Sequence, residues 1–557
     1  MVSPVRNLTQ QGLRLVQRAS QPASHPVATL RTAQQSLDIF WRSGLLGPYP
    51  PWKLARATAA MARYGLRLGA VYAIGEALHG DAPAIIDDRG QVGFATMQAN
   101  TDTIAAGLAE RGVHAGDQVA VLCRNHRHFV ATTVALSKLG ADIIYLNTGF
   151  AGPQLAEVTK REEAKALILD EEFLPIAASL DIPRVVAWTD TDAVAEREDT
   201  FDDLLADGPK DAPPKPPRES RQIILTSGTT GTPKGAQRNT GGEAEPLVAL
   251  LSRIPYKTSD VTLMAAPMFH SWGLANTGLA LLFGARIIAA RKFDPEDTLA
   301  LIDKHRVTVL VAVPVMIQRI MALPDRVFAR YDTSSLRIVG LSGSALPGDL
   351  ANRCMDRFGD VVYNLYGSTE IGWASIATPE DLRAAPGTAG RVPLGAELRI
   401  LDDTGSEQAV GETGRIFVRS GLLFEGYTGG GSKDVIDGFM STGDVGHLDA
   451  AGHLFVDGRD DDMIVSGGEN VFPREVEDLL ADHEGVVDVA VLGVDDDQYG
   501  QRLKAFVVRA PGADVDEETL KDHVRAHLAR YKVPGEIVFR DDLPRNATGK
   551  IVKRELE

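Results

Sequence analysis

Cysteine and long apolar runs are what this chain most clearly lacks. Its 557 residues include only two cysteines, Cys123 and Cys354. That is too few for a disulfide framework, and we expect a reducing, cytoplasmic compartment. No apolar run reaches the roughly 18 residues of a membrane-spanning helix, since the stretch 279–290, for example, is interrupted by Gly284 and Arg286. The sequence therefore predicts no membrane span.

Positive charge is also in short supply. The chain has 58 Lys and Arg against 75 Asp and Glu, which gives a formal net charge of −17. This balance argues against general nucleic-acid binding, and any polyanionic ligand must be met by a local group of cations. The sequence also lacks internal repeats and any cluster of Cys and His with the spacing of metal ligands.

The first seventy residues reverse this balance, because they contain nine Lys and Arg and a single acid, Asp38. Here the spacing predicts a helix over 53–68 with an apolar side and a neighbouring basic side. Those two sides comprise Leu54, Ala57, Met61 and Leu68, and Lys53, Arg56, Arg63 and Arg67. We favour packing of this helix on the main domain. Peripheral contact with the anionic inner face of a membrane and a cleaved transit peptide are the alternatives.

The length of the chain predicts two or more domains. From about residue 80 to 345, apolar strands alternate with helical or loop segments, which predicts an α/β fold of parallel sheets covered by helices. A β-rich subdomain is expected over 397–458 and a small α+β domain over the last hundred residues. The main predicted strands are 118–122, 142–146, 165–169, 184–188, 286–290, 308–313, 337–341, 487–494, 504–508 and 536–540. The main predicted helices are 126–139 and 517–531.

Glycine and hydroxyl residues crowd into one decapeptide that directly follows the apolar run Ile223-Ile224-Leu225, itself a predicted strand. It reads Thr226-Ser227-Gly228-Thr229-Thr230-Gly231-Thr232-Pro233-Lys234-Gly235. Glycines let backbone N–H groups approach a phosphate, hydroxyls add donors, and Lys234 adds a positive charge. The P-loop pattern of nucleotide hydrolases is absent, because no Ser or Thr follows Lys234. Alone, the decapeptide fits a triphosphate-binding loop and a flexible surface loop equally well.

Further polar or glycine-rich motifs follow this loop. They are Tyr363-Asn364-Leu365-Tyr366-Gly367-Ser368-Thr369-Glu370, Ser441-Thr442-Gly443-Asp444, Gly458-Arg459-Asp460-Asp461-Asp462, Ser466-Gly467-Gly468-Glu469-Asn470 and Pro544-Arg545-Asn546-Ala547-Thr548-Gly549-Lys550. In this order and spacing, the set resembles the adenylate-forming superfamily over about residues 80–557. That superfamily comprises acyl- and aryl-CoA synthetases, peptide-synthetase adenylation domains and beetle luciferases.

The resemblance implies a two-step reaction. A carboxylate attacks the α-phosphate of ATP to give an acyl-adenylate and pyrophosphate, and a thiol then displaces AMP. It implies that the glycine loop holds the β- and γ-phosphates, and that Glu370 and Thr226 bind Mg²⁺. The adenine and ribose contacts that it implies involve Asn364, the segment Tyr366-Gly367-Ser368-Thr369, the segment Gly343-Ser344-Ala345, Asp444 and Arg459.

The resemblance also implies a moving C-terminal domain that carries the catalytic Lys550. Its ammonium would bridge the two anionic reactants of the first step. The implied organisation is a basic extension at 1–79, an adenylation domain at 80–459, a hinge at 460–461 that includes Asp461, and a mobile domain at 462–557. Rotation would withdraw Lys550 and bring Gly467 and Gly468 to a pantetheine arm. Lys532 would contact CoA phosphates.

The acyl pocket is predicted from Pro267-Met268-Phe269-His270-Ser271-Trp272-Gly273, in which the resemblance makes His270 border the reacting carboxylate. Residues 271–280 contain no Asp or Glu to pair with a substrate ammonium. Predicted lining residues are His270, Trp272, Gly273, Gly278 and Gly372. An uncharged hydrophobic acid is favoured, with a fatty acid as the simplest candidate. Its length stays open, because Trp272 or Trp373 can block the channel.

The thiol is predicted to be that of CoA, because residues 466–477 resemble the acyl- and aryl-CoA ligase version of their motif. A separate carrier protein is the alternative acceptor, since the chain ends seven residues after Lys550. An aryl-acid CoA ligase, a luciferase-like oxygenase and a non-catalytic adenylate sensor are the other readings. The sensor is disfavoured by the presence of Lys550, Glu370 and Asp444.

Overall fold

The computed structural model describes residues 26–64, 68–191, 194, 198–226, 234–238, 245–421, 423–424, 426–428, 432–462, 464–466, 469–496, 500–546 and 549–556. Its α-helices are α1 (Pro26–Ser43), α2 (Pro51–Tyr64), α3 (Val71–His79), α4 (Phe94–Glu110), α5 (Arg127–Leu139), α6 (Gly152–Arg161), α7 (Leu174–Ala177), α8 (Phe201–Ala206), α9 (Glu245–Leu251), α10 (Ser271–Leu282), α11 (Pro295–His305), α12 (Pro314–Met321), α13 (Asp325–Phe328), α14 (Gly348–Phe358), α15 (Pro379–Ala384), α16 (Pro473–Ala481) and α17 (Glu517–His527).

The strands alternate with these helices through the first two thirds of the chain. They are β1 (Pro83–Asp87), β2 (Gly90–Gly93), β3 (Gln118–Leu122), β4 (Asp142–Tyr145), β5 (Ala166–Asp170), β6 (Arg184–Trp188), β7 (Asp199–Thr200), β8 (Gln222–Thr226), β9 (Lys234–Arg238), β10 (Val261–Met264), β11 (Arg286–Ala289), β12 (Val309–Ala312), β13 (Ile338–Leu341), β14 (Val362–Ser368), β15 (Gly372–Ala377), β16 (Glu397–Leu401), β17 (Gly414–Arg419), β18 (Gly426–Tyr427), β19 (Val435–Ile436), β20 (Phe439–Leu448), β21 (Leu454–Arg459), β22 (Ile464–Ser466), β23 (Glu469–Val471), β24 (Val486–Asp496), β25 (Gly500–Arg509) and β26 (Glu536–Arg540).

Two eight-stranded sheets form the large domain, in the orders β15-β14-β13-β12-β10-β11-β1-β2 and β18-β9-β8-β4-β3-β5-β6-β7. Their central pairs are parallel. The strands β15, β2, β9 and β18 pair antiparallel towards the edges, whereas the edge strand β7 is parallel to β6. Central strands such as β4 and β12 are buried along their whole length, as expected when helices cover both faces. The predicted α/β fold is confirmed.

Two smaller sheets complete the fold. Strands β16, β17, β20, β19 and β21 form the β-rich sheet predicted over 397–458, and β22 to β26 form the sheet of the C-terminal α+β unit. The strand pair β24 and β25 is antiparallel, whereas β26 runs parallel to β25. A one-turn 3₁₀ helix at Asp460–Asp462 joins the two sheets at the predicted hinge. The domain boundaries themselves stay predictions.

Two predicted helices end earlier than expected. The helix predicted over 517–531 ends at His527, because Leu528 is extended with ψ 165°, and a separate 3₁₀ turn covers Arg530–Lys532. The helix predicted over 53–68 spans Pro51–Tyr64, and residues 65–67 lie outside the described residues. Proline at the first position suits a helix start, since its missing N–H would have no partner there.

Helix α2 packs on the body of the protein, which is the interpretation favoured from its sequence. Ala57 is buried. Lys53 Nζ donates to the Leu78 carbonyl at 2.6 Å, and Arg56 pairs with Glu76 at 3.1 Å. Within the described part of the chain, no helix combines the length and apolarity needed to cross a membrane.

Candidate active site

The predicted site residues converge at the carboxyl ends of the parallel strands in the first sheet. The turn after β10 carries His270, the loop after β13 carries Gly343-Ser344-Ala345, and β14 itself carries Asn364 and Tyr366. Strands in a parallel sheet expose their side chains and loops at this edge, which is where α/β sheets bind ligands. Strands β20 and β21 and the C-terminal loop contribute the remaining groups.

His270 lies in the turn that precedes α10, where its N–H donates to the Pro267 carbonyl at 3.2 Å. Its Nε2 is buried and has no hydrogen-bond partner among the described residues. Burial, together with the nearby charge of Lys550, lowers the pKa of His270 to about 3. The imidazole is therefore neutral at physiological pH, with one ring nitrogen available to a ligand.

Tyr366, Asp444 and Arg459 meet on the other side of the site. The Tyr366 hydroxyl donates to Asp444 Oδ2 at 2.5 Å, and Asp444 is the cross-strand partner of Arg459 in the β20–β21 pair. Burial raises the pKa of Asp444, against the opposing effects of Tyr366, Arg459, Lys433 and Lys550. The bond to Asp444 holds the Tyr366 phenol in one orientation, as a flat stacking surface requires.

Asn364 is buried on the neighbouring strand, and its Oδ1 accepts no hydrogen bond from the described residues. A buried carbonyl oxygen without a donor is uncommon and is costly unless a ligand supplies one. Asn364 is the register partner of Leu341, so it lies beside the start of the loop 342–345, where Gly343 has φ 98°. An exocyclic amine such as that of adenine fits this position.

Glu370 supplies a buried carboxylate near the end of β14. Its Oε1 accepts from the Tyr427 hydroxyl at 3.0 Å, and its backbone N–H donates to Ser368 Oγ at 3.2 Å. Burial alone would raise the pKa of Glu370, but Ser368 and the charge of Lys433 outweigh it and hold the pKa below its usual value. An ionised carboxylate oxygen is the donor that Mg²⁺ prefers, so this residue fits the predicted metal.

Thr369 and the glycine loop complete the phosphate side of the site. The Thr369 hydroxyl is 2.7 Å from the Ser271 hydroxyl, which links the β14 motif to the first turn of α10. Thr226 and Lys234 are register partners at the ends of the antiparallel strands β8 and β9. Residues 227–233 and the side chains of Thr226 and Lys234 lie outside the described residues, so the predicted phosphate contacts stay predictions.

Lys550 reaches the same site from the C-terminal unit. Its loop is closed on itself, because Asn546 N–H donates to the Lys550 carbonyl at 2.9 Å and Lys550 N–H donates to Asn546 Oδ1 at 3.0 Å. The Lys550 side chain is accessible to solvent, although many protein atoms lie around its ammonium group. Burial lowers the pKa of Lys550, and Arg459 lowers it further, while Asp444 and Glu370 act in the opposite direction. The charges of Arg459, Asp444 and Glu370 are therefore near enough to affect the Lys550 ammonium.

Of four other predicted residues, two lie away from these groups and two lie outside the described residues. Asp461 is in the 3₁₀ turn between β21 and β22. Lys532 Nζ is paired with Glu475 at 2.5 Å, so its ammonium already has an acidic partner within the C-terminal unit. Gly467 and Gly468 lie outside the described residues. In this arrangement the Lys550 ammonium is near the site carboxylates, whereas Lys532 is paired within the C-terminal unit.

The residues predicted to line the acyl pocket also make packing contacts within the fold. Trp272 is buried, its Nε1 donates to the Ala312 carbonyl at 3.1 Å, and a Cβ on Gly340 would be 3.2 Å from its ring. A Cβ on Gly273 would lie 2.1 Å from the Pro267 carbonyl oxygen, so only glycine fits there. Gly278 lies further along α10.

Glycine is required for a similar reason in the hairpin that follows the β14 motif. Gly372 has φ 72°, and its carbonyl oxygen would lie 1.9 Å from a Cβ on Gly367. The hairpin therefore brings the two backbones together more closely than side chains allow. This backbone approach explains Gly367 and Gly372 without any direct ligand contact.

Sequence reasoning missed three residues that face the site groups. Tyr427 bonds Glu370, Lys433 influences both Glu370 and Asp444, and Arg474 lies near Tyr366. Lys433 precedes the Ser441–Asp444 motif closely enough in sequence to have been suspected, and it bonds the Thr442 carbonyl. Arg474 lies within the motif at 466–477, although no role was assigned to it. Tyr427 gave no comparable local signal, because a distant segment brings it to the site.

Comparisons with known proteins agree with this site. The AMP-binding enzyme family matches residues 75–428, and its C-terminal domain family matches residues 475–550. Indoleacetate–CoA ligase of Aromatoleum aromaticum is 34% identical over 83% of this chain and 92% of its own length. Long-chain-fatty-acid–CoA ligase FadD13 of Mycobacterium tuberculosis is 31% identical over 83% and 92%.

A solved structure extends the likeness to three dimensions. The anthranilate CoA ligase AuaEII, crystallised with anthranoyl-AMP, superposes with a TM-score of 0.80 at 26% identity, over 90% of this chain and 98% of that one. The chain belongs to the AMP-binding enzyme family of the adenylate-forming superfamily and is an AMP-dependent acid–thiol ligase.

Proposed function

We propose that this ligase activates a hydrophobic carboxylic acid as its acyl-adenylate and transfers the acyl group to CoA. The convergence of Lys550, His270, Glu370 and Asp444 carries the proposal. An ammonium close to buried carboxylates and a neutral histidine suits a reaction between two anions. The relatives named as CoA ligases support CoA as the acceptor.

In the first step, a carboxylate oxygen of the acid bonds to the α-phosphorus of ATP, and the bond to pyrophosphate breaks. Lys550 bridges the two anionic partners and stabilises the charge that shifts between them. Glu370 would hold Mg²⁺, which neutralises phosphate charge when bound. Tyr366 stacks on the adenine, Asn364 Oδ1 accepts from its amine, and Asp444 and Arg459 bind the ribose hydroxyls.

His270 positions the acid rather than acting as a general acid or base. Its pKa of about 3 leaves it neutral, so Nε2 is free to bond the carboxylate or the adenylate without exchanging a proton at working pH. In the second step, the CoA sulfur bonds to the acyl carbon and AMP departs. Rotation about Asp461 would withdraw Lys550 before that step, as the mobile C-terminal domain implies.

The acid is proposed to be uncharged beyond its carboxylate, with a fatty acid as the first candidate. Support comes from α10, whose described side chains near His270 are apolar or small, and from the absence of Asp and Glu over 271–280. An aryl acid is the second candidate. Trp272 favours it, because a buried indole held by Ala312 offers a flat, fixed wall at a short distance from His270.

A thioester assay with a panel of acids tests both candidates. The panel runs from acetate to long-chain fatty acids and includes indoleacetate and other aryl acids, each with ATP, Mg²⁺ and CoA. Turnover of one hydrophobic class supports the proposal. The proposed function would be wrong if the enzyme preferred an amino acid or transferred the acyl group only to a carrier protein. It would also be wrong if the enzyme emitted light in place of forming a thioester.

Trp272→Ala sharpens the choice between the two candidates. If the indole ends the acyl pocket, the variant should accept longer chains than the wild type while Trp373→Ala does not. If neither variant changes the order of preference across the panel, Trp272 does not limit the acid.

Cytoplasmic location and peripheral contact of residues 53–68 with the inner face of a membrane stay predictions. Lys53, Arg56 and Arg63 already bond Leu78, Glu76 and Ala212 of the protein. We therefore expect helix α2 alone to contribute little to membrane binding through its basic side.

A further inference from the structure

The backbone that leads from the end of β10 to His270 is buried but irregular. Four residues of this segment, 264–268, have buried side chains: Met264, Ala265, Ala266 and Met268. The N–H groups of Ala265 and Ala266 both donate to the Val311 carbonyl, at 3.0 and 2.9 Å, so the regular pairing of β10 with β12 ends here. The other polar groups of this buried backbone therefore need partners that the sheet does not supply.

One buried side chain from the other large sheet supplies three of these partners. Asn125 Nδ2 donates to the Met264 carbonyl at 3.0 Å and to the Ala266 carbonyl at 2.9 Å. Asn125 Oδ1 accepts from the Met268 N–H at 2.8 Å. Both amide hydrogens and the carbonyl oxygen of Asn125 are thus bonded to the segment 264–268, which defines the orientation of the amide.

Asn125 is itself held in place by a buried network at the carboxyl ends of β3 and β5. The neighbouring Arg124 N–H donates to Asp170 Oδ2 at 2.8 Å. On the other side of Asn125, His126 Nδ1 accepts two backbone N–H groups from the first turn of α5, so its Nε2 donates to Asp170 Oδ1 at 2.8 Å. Because both neighbours are bonded to one buried carboxylate, Asn125 is a fixed support for the segment 264–268.

The position of His270 depends directly on this segment. Only Phe269 separates Met268 from His270, and the His270 N–H donates to the Pro267 carbonyl at 3.2 Å. The imidazole Nε2 has no hydrogen-bond partner among the described residues, so no side-chain bond at that atom would keep the ring in place if the backbone moved. A shift of the segment 264–268 therefore moves the ring relative to the rest of the site.

We propose that Asn125 is a positioning residue for the acid substrate: it fixes the segment 264–268 so that His270 Nε2 faces the carboxylate, which rests on the role proposed above for His270. Without the amide, three buried backbone groups lose their partners and the segment must rearrange to satisfy them. The groups proposed to bind adenine and ribose lie on β14, β20 and β21 and do not depend on these bonds. Loss of Asn125 should therefore weaken binding of the acid and leave binding of ATP almost unchanged.

Asn125→Ala tests this role through pyrophosphate release, with the acid of the panel above that gives the fastest thioester formation. We expect the KM for the acid to rise about tenfold and the KM for ATP to change by less than about twofold. The matched control is Gln98→Ala, which removes another buried amide, bonded to Asp102 and Lys138 between α4 and α5, and should leave both KM values unchanged. If Asn125→Ala does not fold, Asn125→Ser, which keeps one donor and one acceptor, should show the same separation of the two KM values.

His270→Ala separates failure of this role from failure of the proposed function. The variant should itself raise the KM for the acid, and Asn125→Ala/His270→Ala should be little worse than His270→Ala, because both changes remove the same contact. If His270→Ala leaves that KM unchanged, the role proposed for His270 is wrong. If it raises that KM but Asn125→Ala does not, or if Asn125→Ala raises both KM values equally, Asn125 does not position the acid.

Discussion

The electrostatics of the site depend on one lysine placed among two carboxylates and one arginine. Asp444 and Glu370 keep the Lys550 ammonium charged, while burial and Arg459 favour its neutral form. The same ammonium helps to keep His270 neutral. The ammonium reaches solvent but is otherwise surrounded by protein, so it interacts with an incoming anion more strongly than a fully hydrated surface lysine would.

Lys550→Ala should therefore suppress acyl-adenylate formation by roughly a hundredfold to a thousandfold, the usual effect of removing one group that stabilises transition-state charge. Thioester formation from supplied acyl-AMP should change much less. Both half-reactions are measured separately, by pyrophosphate release and by CoA consumption. Lys504→Ala, which removes a cation paired with Glu536 in the same C-terminal sheet, serves as the control. Equal losses in both half-reactions would contradict the assignment.

The pH dependence of the first half-reaction should also report Lys550. The ammonium is the active form and is lost as pH rises through its pKa, which lies below the usual 10.5. The rate of adenylate formation should fall on the alkaline side earlier than an ordinary lysine would allow. His270 should contribute no limb near neutral pH, because its pKa is about 3. The profile of the second half-reaction, run from acyl-AMP, should lack this alkaline limb, and its presence there would exclude Lys550 as the cause.

Among the elements, the loop at 545–551 determines how closely the C-terminal unit approaches the large domain. Gly549 has φ 80°, and a Cβ there would lie 2.5 Å from Cγ1 of Val315 in α12. The backbone of the loop at Gly549 therefore packs directly against α12, and this contact positions the neighbouring Lys550. A second contact, in which Gln318 Nε2 donates to the Val487 carbonyl, lies on the same helix.

Gly549→Ala should slow adenylate formation by about tenfold, because the added methyl group forces the loop away from Val315. Gly512→Ala is a matched control: Gly512 also has φ 80°, but a Cβ there would meet no atom within 4 Å. Both variants carry the same backbone strain, so their difference in rate isolates the contact with α12. A similar rate for the two would indicate that strain alone is responsible.

In the whole molecule, the C-terminal unit is placed on the large domain in the arrangement that suits the first step, formation of the acyl-adenylate. Lys550 lies near the site carboxylates, and Gln318 of α12 bonds Val487 across the interdomain surface. At that surface, burial and the nearby Asp349 of the large domain raise the pKa of Asp482 in the C-terminal unit. Like charges across the contact favour release, so the two units can separate when the adenylate has formed.

Asp461→Pro tests whether rotation occurs at the 3₁₀ turn Asp460–Asp462. Proline fixes φ near the value of a 3₁₀ helix, so it should preserve the present arrangement and hinder any other. We expect adenylate formation to be retained and thioester formation from acyl-AMP to fall about tenfold or more. Asp461→Ala, which leaves φ free, should affect both steps little. A loss confined to adenylate formation would place the hinge elsewhere.

Much of this protein followed from local sequence pattern. The parallel strands are continuous apolar runs, because helices cover both faces of each sheet, so strands such as Gln118–Leu122 and Arg184–Trp188 were predicted at their observed bounds. Helix ends were harder, and the break at Leu528 has no Gly or Pro to mark it. The motif residues were also recognisable, because glycine, hydroxyl and charged residues in tight turns have little role in packing.

The sequence alone determined the fold class and the family, and it predicted a set of residues that would serve the site. Tertiary structure alone decided which distant groups adjust their charge: Tyr427 and Lys433 beside Glu370, and Lys550 beside His270. It also decided that the Trp272 indole donates a hydrogen bond to the Ala312 carbonyl and that Trp41 and Trp52 are exposed. The physical reason is that pKa, burial and exposure depend on atoms brought together from distant segments, whereas strand, turn and motif depend on neighbours along the chain.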